Sequence, residues 1–208
     1  MSFFEPPPPL PERPPPPPRK PWHGPPSNEF GVPLGIGVVL ARTRELALAL
    51  TDVVAYAEGF VLKIGLRAKA TTELDPRTVM MGDSLRFGVA FADGRKAVSY
   101  GRPGAPDDEA PAVALRRAGA GGGGSRGFEF AFWVYPLPPE GPVTVALEWP
   151  ERGVAETLHE LDGAAIAAAG ARSEQLWEED GGWRGPAFST QVAAMAPRPD
   201  ARPRPPAA

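Results

Sequence analysis

Apolar residues occupy every second position over several stretches of the chain, and this alternation constrains the fold more than any other sequence feature. It is clear in residues 34–40, 46–50 and 60–66, where glycine, alanine, valine or lysine fills the positions between. A period of two is typical of a β-strand with one buried face, whereas an amphipathic helix repeats about every 3.6 residues. The run from residue 46 is expected to continue in the same phase through Asp52, Val54 and Tyr56.

The same alternation returns in the second half of the chain, in residues 85–91, 128–134, 143–149 and 154–161. Asp93-Gly94 is a strong hairpin signal, and no helical pattern separates the strands as a parallel sheet would require. The chain is therefore predicted to be all-β: a two-sheet antiparallel β-sandwich, immunoglobulin-like, of seven or eight strands. One C-terminal α-helix is expected to begin after Asp162 as its cap and to reach Trp177.

Proline-rich segments flank this region. Thirteen of the first 26 residues are proline, and such a segment favours extended geometry and has too few apolar side chains to fold. We expect residues 1–29 to be a disordered tail, residues 30–180 to form the sandwich and helix, and residues 181–208 to be a second disordered tail.

The first tail contains ligand patterns for the grooves of WW-type and SH3-type domains. The candidate partner-binding residues are Pro8, Pro9, Leu10, Pro11, Pro14, Pro17 and Arg19. The alternative is that the tract serves as an inert spacer.

Charge and cysteine content exclude several classes of protein. The net charge is -3 and there is no cysteine, so neither the basic face of a nucleic-acid-binding protein nor a disulfide, a Cys-ligated metal or a thiol nucleophile is expected. The N-terminus lacks the pattern of a secretory signal, and no apolar run has the length of a membrane span. We predict a cytoplasmic protein with no cofactor, no nucleic-acid partner and no membrane insertion.

Residues that could carry catalysis are few and scattered. His23 and His159 are the only histidines, so a Ser–His–Asp triad or a histidine-based metal site would depend on His159 alone. Gly119, Gly121 and Gly124 have the spacing of a dinucleotide fingerprint, but a strand follows them instead of the required helix. Residues 101–126 are therefore interpreted as a long, glycine-rich flexible loop, within which Val113 to Arg117 could add a short strand.

The carboxylates also lack a catalytic or metal-binding pattern. Glu156 and Glu160 share one face of a predicted strand about 13 Å apart, which is too far for a glycosidase pair. Asp107, Asp108 and Glu109 could offer oxygen ligands to calcium, but no EF-hand spacing accompanies them. We predict no catalytic residue and no metal site.

Three aromatic residues are the candidate ligand-binding residues: Trp133, Tyr135 and Trp149. If the phenylalanines of residues 128–132 point inward, then Trp133 and Tyr135 point outward, and Trp149 is expected nearby because its strand follows by a hairpin. An exposed aromatic platform could bind a sugar, a peptide or a protein surface. The alternative is that the helix bearing Trp177, or the segment around Trp183, packs over these rings.

Two stretches carry a resemblance to known sequences. Phe-Trp-Val-Tyr-Pro-Leu-Pro-Pro ahead of Leu-Glu-Trp-Pro in residues 128–150, and Leu-Arg-Phe-Gly-Val-Ala-Phe-Ala-Asp-Gly from residue 85, resemble uncharacterised single-domain proteins of high-GC actinobacteria. The resemblance covers residues 30–178 and implies a bacterial origin and one domain, but no activity.

The sequence supports three hypotheses of function. The first is a non-enzymatic protein-interaction or scaffold module with an unknown protein partner. The second is a small-ligand or carbohydrate-binding sandwich that uses the aromatic platform. The third is a hydrolase with dispersed carboxylates.

Overall fold

The computed structural model describes residues 19–75, 78–79, 84–99, 109–124 and 126–178. The strands are, in chain order, β1 (Glu29–Phe30), β2 (Val32–Pro33), β3 (Val38–Arg42), β4 (Leu46–Ala55), β5 (Phe60–Ala68), β6 (Arg86–Phe91), β7 (Lys96–Ser99), β8 (Ala114–Gly124), β9 (Gly127–Tyr135), β10 (Pro142–Trp149), β11 (Val154–Asp162) and β12 (Glu174–Gln175). The prediction of a mostly β protein built from antiparallel strands is confirmed. The second tail lies outside the described residues, as do the tail candidates Pro8, Pro9, Leu10, Pro11, Pro14 and Pro17.

Two sheets pack face to face around the core. The six-stranded sheet has the order β2-β4-β5-β9-β8, with β3 also paired to β4, and the four-stranded sheet has the order β11-β10-β6-β7. Phe87 of the four-stranded sheet contacts two rings of the six-stranded sheet, with centroids 4.7 Å from Phe132 and 5.6 Å from Phe130. The inward apolar rows therefore form the core between the sheets.

The run of residues 34–40, expected to be a single strand, is divided in the structure. β2 ends at Pro33 and β3 begins at Val38, so that residues 34–37 are irregular. Gly35 has a φ of 68°, a left-handed conformation that interrupts an extended chain. The described part of the chain therefore contains more strands than the seven or eight expected. The excess comes from this division and from three strands of two residues each, β1, β2 and β12.

A bulge in β4 changes the phase of its alternation. Leu50 pairs with Ile64 and Asp52 pairs with Lys63, so Thr51 is an extra residue between them. Beyond this bulge Val53 is fully buried in the main core, whereas Val54 lies in a second apolar cluster on the opposite face of the sheet. The expectation that Val54 continues the inward row is wrong, because one inserted residue reverses every following side chain.

The glycine-rich run is part of a strand and not a flexible loop. β8 extends to Gly124 and pairs with β9, with an irregularity between Ala118 and Gly122. A Cβ atom at Gly123 would lie 2.3 Å from the carbonyl oxygen of Gly127. The two backbones are therefore closer there than any side chain allows, which explains why a glycine occupies that position.

An α-helix, α1 (Gly163–Gly170), follows β11. Asp162 caps it as predicted, because its carboxylate accepts a hydrogen bond of 3.1 Å from the amide of Ala165. The helix ends well before Trp177, and the chain instead forms β12, which pairs with β1 in a two-stranded ribbon. No helix in the described part of the chain is long and apolar enough to cross a lipid bilayer.

Candidate functional site

The three candidate aromatic residues do not form a common platform. Trp133 and Trp149 both have 0% exposure, and they belong to different sheets because β9 and β10 do not pair with each other. Trp149 points into the main core, where its indole Nε1 donates a hydrogen bond of 3.2 Å to Ser84 Oγ. The expectation that Trp149 lies beside Trp133 on an exposed surface is therefore corrected.

Trp133 points outward from the six-stranded sheet, as predicted, but the N-terminal segment covers it. Its indole Nε1 donates a hydrogen bond of 2.9 Å to the carbonyl oxygen of Pro21. The ring of Tyr56 meets it edge-on at 5.7 Å, and Trp22 lies 6.2 Å from Tyr135. We call residues 19–28 the N-terminal strap. The cover thus comes from a segment expected to be a disordered tail, while Trp177 is 57% exposed.

Arg19, a candidate residue of the SH3-type pattern, is the first residue of this strap and is held by contacts within the chain. Its guanidinium forms an ion pair with Glu58 and donates a hydrogen bond of 3.2 Å to the carbonyl oxygen of Gly24. Only 5% of its side chain is exposed. Recognition of Arg19 by an external domain would first require these contacts to break, so the structure disfavours this part of the tail hypothesis.

Two half-buried side chains, Tyr56 and Arg117, have shifted pKa values. Burial, followed by the charge of Glu29, raises the pKa of Tyr56, and burial lowers the pKa of the Arg117 guanidinium. Arg117 lies over the ring of Phe130 at 4.9 Å and donates a hydrogen bond to the carbonyl oxygen of Val79. We interpret Arg117 as a structural residue that holds Val79 against the core.

The remaining chemical candidates do not come together. His159 is half-buried on β11, opposite Val145, and Glu109 is exposed, while Asp107 and Asp108 lie outside the described residues. Among the residues that the structure describes, no group of three His, Asp or Glu side chains could hold a metal ion.

A surface that the sequence did not indicate lies on the outer face of the four-stranded sheet. The pairing register aligns Val98 with Gly88, Gly88 with Ala146, and Ala146 with Leu158. These residues form one continuous row across all four strands, which we call the apolar row. Val98 is 49% exposed and Leu158 is 63% exposed, so apolar side chains lie where an exposed sheet face normally carries polar ones.

The two central residues of the apolar row are small, which makes the surface a shallow groove. Gly88 and Ala146 form its floor, and the larger Val98 and Leu158 lie at the two ends of the row. The groove runs along the side of the apolar row that bears Arg86, from Val98 on β7 to Glu156 on β11, and has a volume of about 210 Å³. Its lining includes Arg86, Gly88, Val98, Ala146, Glu148 and Glu156.

Charged residues border the apolar row on both sides. On one side Arg86 Nη1 lies 2.7 Å from Glu148 Oε1, with Glu156 beside them. On the other side Lys96 and Glu160 lie at opposite ends of the neighbouring row, because Lys96 aligns with Ala90, Ala90 with Thr144, and Thr144 with Glu160. The basic residues of this face are therefore on β6 and β7, and the acidic residues are on β10 and β11.

One sequence signal could have pointed to this surface. Val98 and Leu158 occupy the outward phase of β7 and β11, where alternation calls for polar residues. The alignment of four such positions into a row depends on the register of three strand pairs, which no local pattern specifies.

No protein-family model, curated protein or solved structure matches this chain significantly. The fold and the site together define an antiparallel β-sandwich with an apolar, charge-bordered sheet face. The function must therefore be argued from the geometry of that face.

Proposed function

We propose that this protein is a non-enzymatic interaction module that binds another protein through the outer face of its four-stranded sheet. The observation that carries the proposal is the exposed apolar row from Val98 to Leu158. Contiguous exposed apolar surface bordered by polar residues is typical of protein interfaces. The small side chains of Gly88 and Ala146 would let a partner backbone approach closely.

The shape of the groove favours a protein partner over a small ligand. Pockets for small molecules usually enclose about 300–1,000 Å³, and this open groove measures about 210 Å³. The carbohydrate-binding alternative also depended on exposed aromatic rings, and both Trp133 and Trp149 are fully buried. No observation favours the third hypothesis, a hydrolase with dispersed carboxylates.

Three further proposals rest on the sequence. An immunoglobulin-like arrangement agrees with the antiparallel sheets, and a cytoplasmic location agrees with the absence of cysteine. An origin in high-GC actinobacteria rests on the resemblance of residues 85–94 and 128–150.

Photocrosslinking in the organism that makes the protein would test the binding surface directly. A benzophenone amino acid at Leu158 is expected to form covalent adducts with a protein partner, because Leu158 is exposed within the apolar row. The matched control is Val39, which lies in β3 of the other sheet and is 50% exposed. Adducts are identified by mass spectrometry.

Substitution then connects the adducts to the apolar row. Val98→Asp is expected to remove the adducts at position 158, because it places a charge in the contact, whereas Val39→Asp should leave them unchanged. Val98 and Val39 are almost equally exposed, so the two variants differ in location and not in chemistry. The absence of adducts at position 158, or equal adducts at both positions, would exclude this face as the binding surface.

A further inference from the structure

We infer that the partner of this face is a second copy of the same chain, so that the protein forms a two-fold symmetric dimer. The inference rests on the proposed function, because it concerns the same surface. It is carried by the arrangement of the apolar row and its bordering charges, which complement themselves under a two-fold rotation.

The relevant two-fold axis lies between the two sheet faces, parallel to the strands and midway between β6 and β10. Under this symmetry a residue on one side of the axis faces the residue at the same distance on the other side. Val98 therefore faces Leu158 of the second copy, and Gly88 faces Ala146 of the second copy. The two ends of the apolar row cover each other, and both sets of apolar side chains leave water.

The charges follow the same symmetry. The rotation places Lys96 opposite Glu160 of the second copy, and Arg86 opposite Glu148 of the second copy. Within the described residues neither Lys96 nor Glu160 forms an ion pair. These two residues are separated by three strand spacings within one chain, about 14 Å, so each is available to a second copy.

This charge distribution favours a second copy over a different protein. A partner with its own sequence needs only to complement this face, and nothing requires the face to complement itself. Here each of these basic residues on β6 and β7 aligns across the sheet with an acidic residue on β10 or β11. Arg86 aligns with Glu148, and Lys96 aligns with Glu160. A two-fold axis makes every such contact occur twice in the dimer.

The size of the face sets the expected strength of the dimer. Four strands are about 19 Å wide, and six residues of β6 are about 20 Å long. The area of a face with these dimensions is small compared with the area of about 800 Å² that each partner buries in a standard protein interface. We therefore expect a dissociation constant in the micromolar range.

Sedimentation velocity of the full chain between about 1 µM and about 1 mM brackets that range and tests the dimer. Lys96→Glu alone places two acidic residues opposite each other, and Glu160→Lys alone places two basic residues opposite each other. Each single variant is expected to raise the dissociation constant about tenfold, since two like-charge contacts replace two attractive ones. The double variant, Lys96→Glu with Glu160→Lys, restores both attractions and should dimerise like the unaltered chain.

Mixing the two single variants is the sharpest arm of the experiment. In a heterodimer of Lys96→Glu with Glu160→Lys, each facing pair combines opposite charges, so the mixture should form dimers more tightly than either variant alone. A structural effect of the substitutions on one chain would give no such recovery. An unaltered chain that stays monomeric to about 1 mM, or single variants that dimerise normally, would overturn the inference.

The crosslinking experiment separates the failure of this inference from failure of the proposed function. Adducts at Leu158 that contain only this chain support the dimer. Adducts with a different protein, together with a monomer in sedimentation, reject the dimer and retain the interaction module. The absence of any adduct at Leu158 rejects both.

Discussion

Gly59 shows how one residue determines the packing around a buried tryptophan. It lies immediately before β5, and a Cβ atom there would be 2.3 Å from the carbonyl oxygen of Val134 and 2.8 Å from the ring of Trp133. A backbone carbonyl cannot rotate away as the end of a side chain can. The local separation of β5 and β9 therefore requires glycine at this position.

Gly59→Ala is accordingly expected to lower the free energy of unfolding by about 3 kcal/mol, the cost of overpacking against a backbone that cannot move. Urea denaturation measures the change. Gly37→Ala is the control, because a Cβ atom at Gly37 would meet nothing within 4 Å. Equal stability of the two variants would contradict the close approach seen at Gly59.

The residue scale also shows which site residues were predictable. The outward direction of Trp133 followed from the inward row of phenylalanines on the same strand. In the structure those phenylalanines lie in the main core and Trp133 lies in the second apolar cluster, on the opposite face of the sheet. Its burial did not follow, because it depends on contacts with Pro21, 112 positions away in the chain. The direction of a side chain is a local property of a strand, whereas its exposure is not.

At the scale of elements, the N-terminal strap is the main departure from expectation. Its composition predicts disorder, yet its residues contact Trp133 and Tyr135 on the outer face of the six-stranded sheet and Glu58 in the turn between β4 and β5. A segment too polar to form its own core can still be ordered by a surface that supplies the apolar contacts.

Truncation tests the strap as an element. Removal of residues 1–18 keeps Arg19, Pro21 and Trp22, and with them the contacts to Glu58, Trp133 and Tyr135, so the fluorescence of Trp133 should stay nearly unchanged. Removal of residues 1–28 exposes Trp133 and takes away the acceptor of its indole, so we expect a loss of about 2–3 kcal/mol and a red shift of tryptophan fluorescence. Identical fluorescence and stability of the two truncations would show that the strap does not cover Trp133.

At the scale of the whole molecule, the two faces of the four-stranded sheet have different roles. The inner face contributes Phe87, which contacts two rings of the other sheet. The outer face contributes the apolar row, whose end residues touch solvent. Stability should therefore depend on the inner face, and association on the outer face.

Two substitutions on opposite faces of this sheet separate those roles. Phe87→Ala leaves a cavity between the sheets and is expected to cost about 3–5 kcal/mol. Val98→Asp changes an exposed residue of an edge strand and should lower the free energy of unfolding by no more than about 1 kcal/mol, the range of strand propensity. Guanidinium denaturation of the two variants measures both values, and a Val98→Asp variant destabilised as much as Phe87→Ala would mean that Val98 belongs to the core.

The sequence by itself determined what depends on near neighbours. Alternation identified strands, their inward rows and their antiparallel character. Asp162 marked the start of α1. Both predictions succeeded because side-chain direction and helix capping are determined within a few residues. The bulge at Thr51 was missed, since one extra residue within an apolar run leaves the composition unchanged.

Only the tertiary structure decided what depends on distant pairings. The separation of β9 and β10 into different sheets removed the aromatic platform. The strap covered Trp133 and engaged its own Arg19 with Glu58. The register of β6, β7, β10 and β11 brought four separate outward residues into one apolar row. Such a surface depends on which strands pair and in what alignment, and those choices are made by the energy of the whole core and not by any single segment.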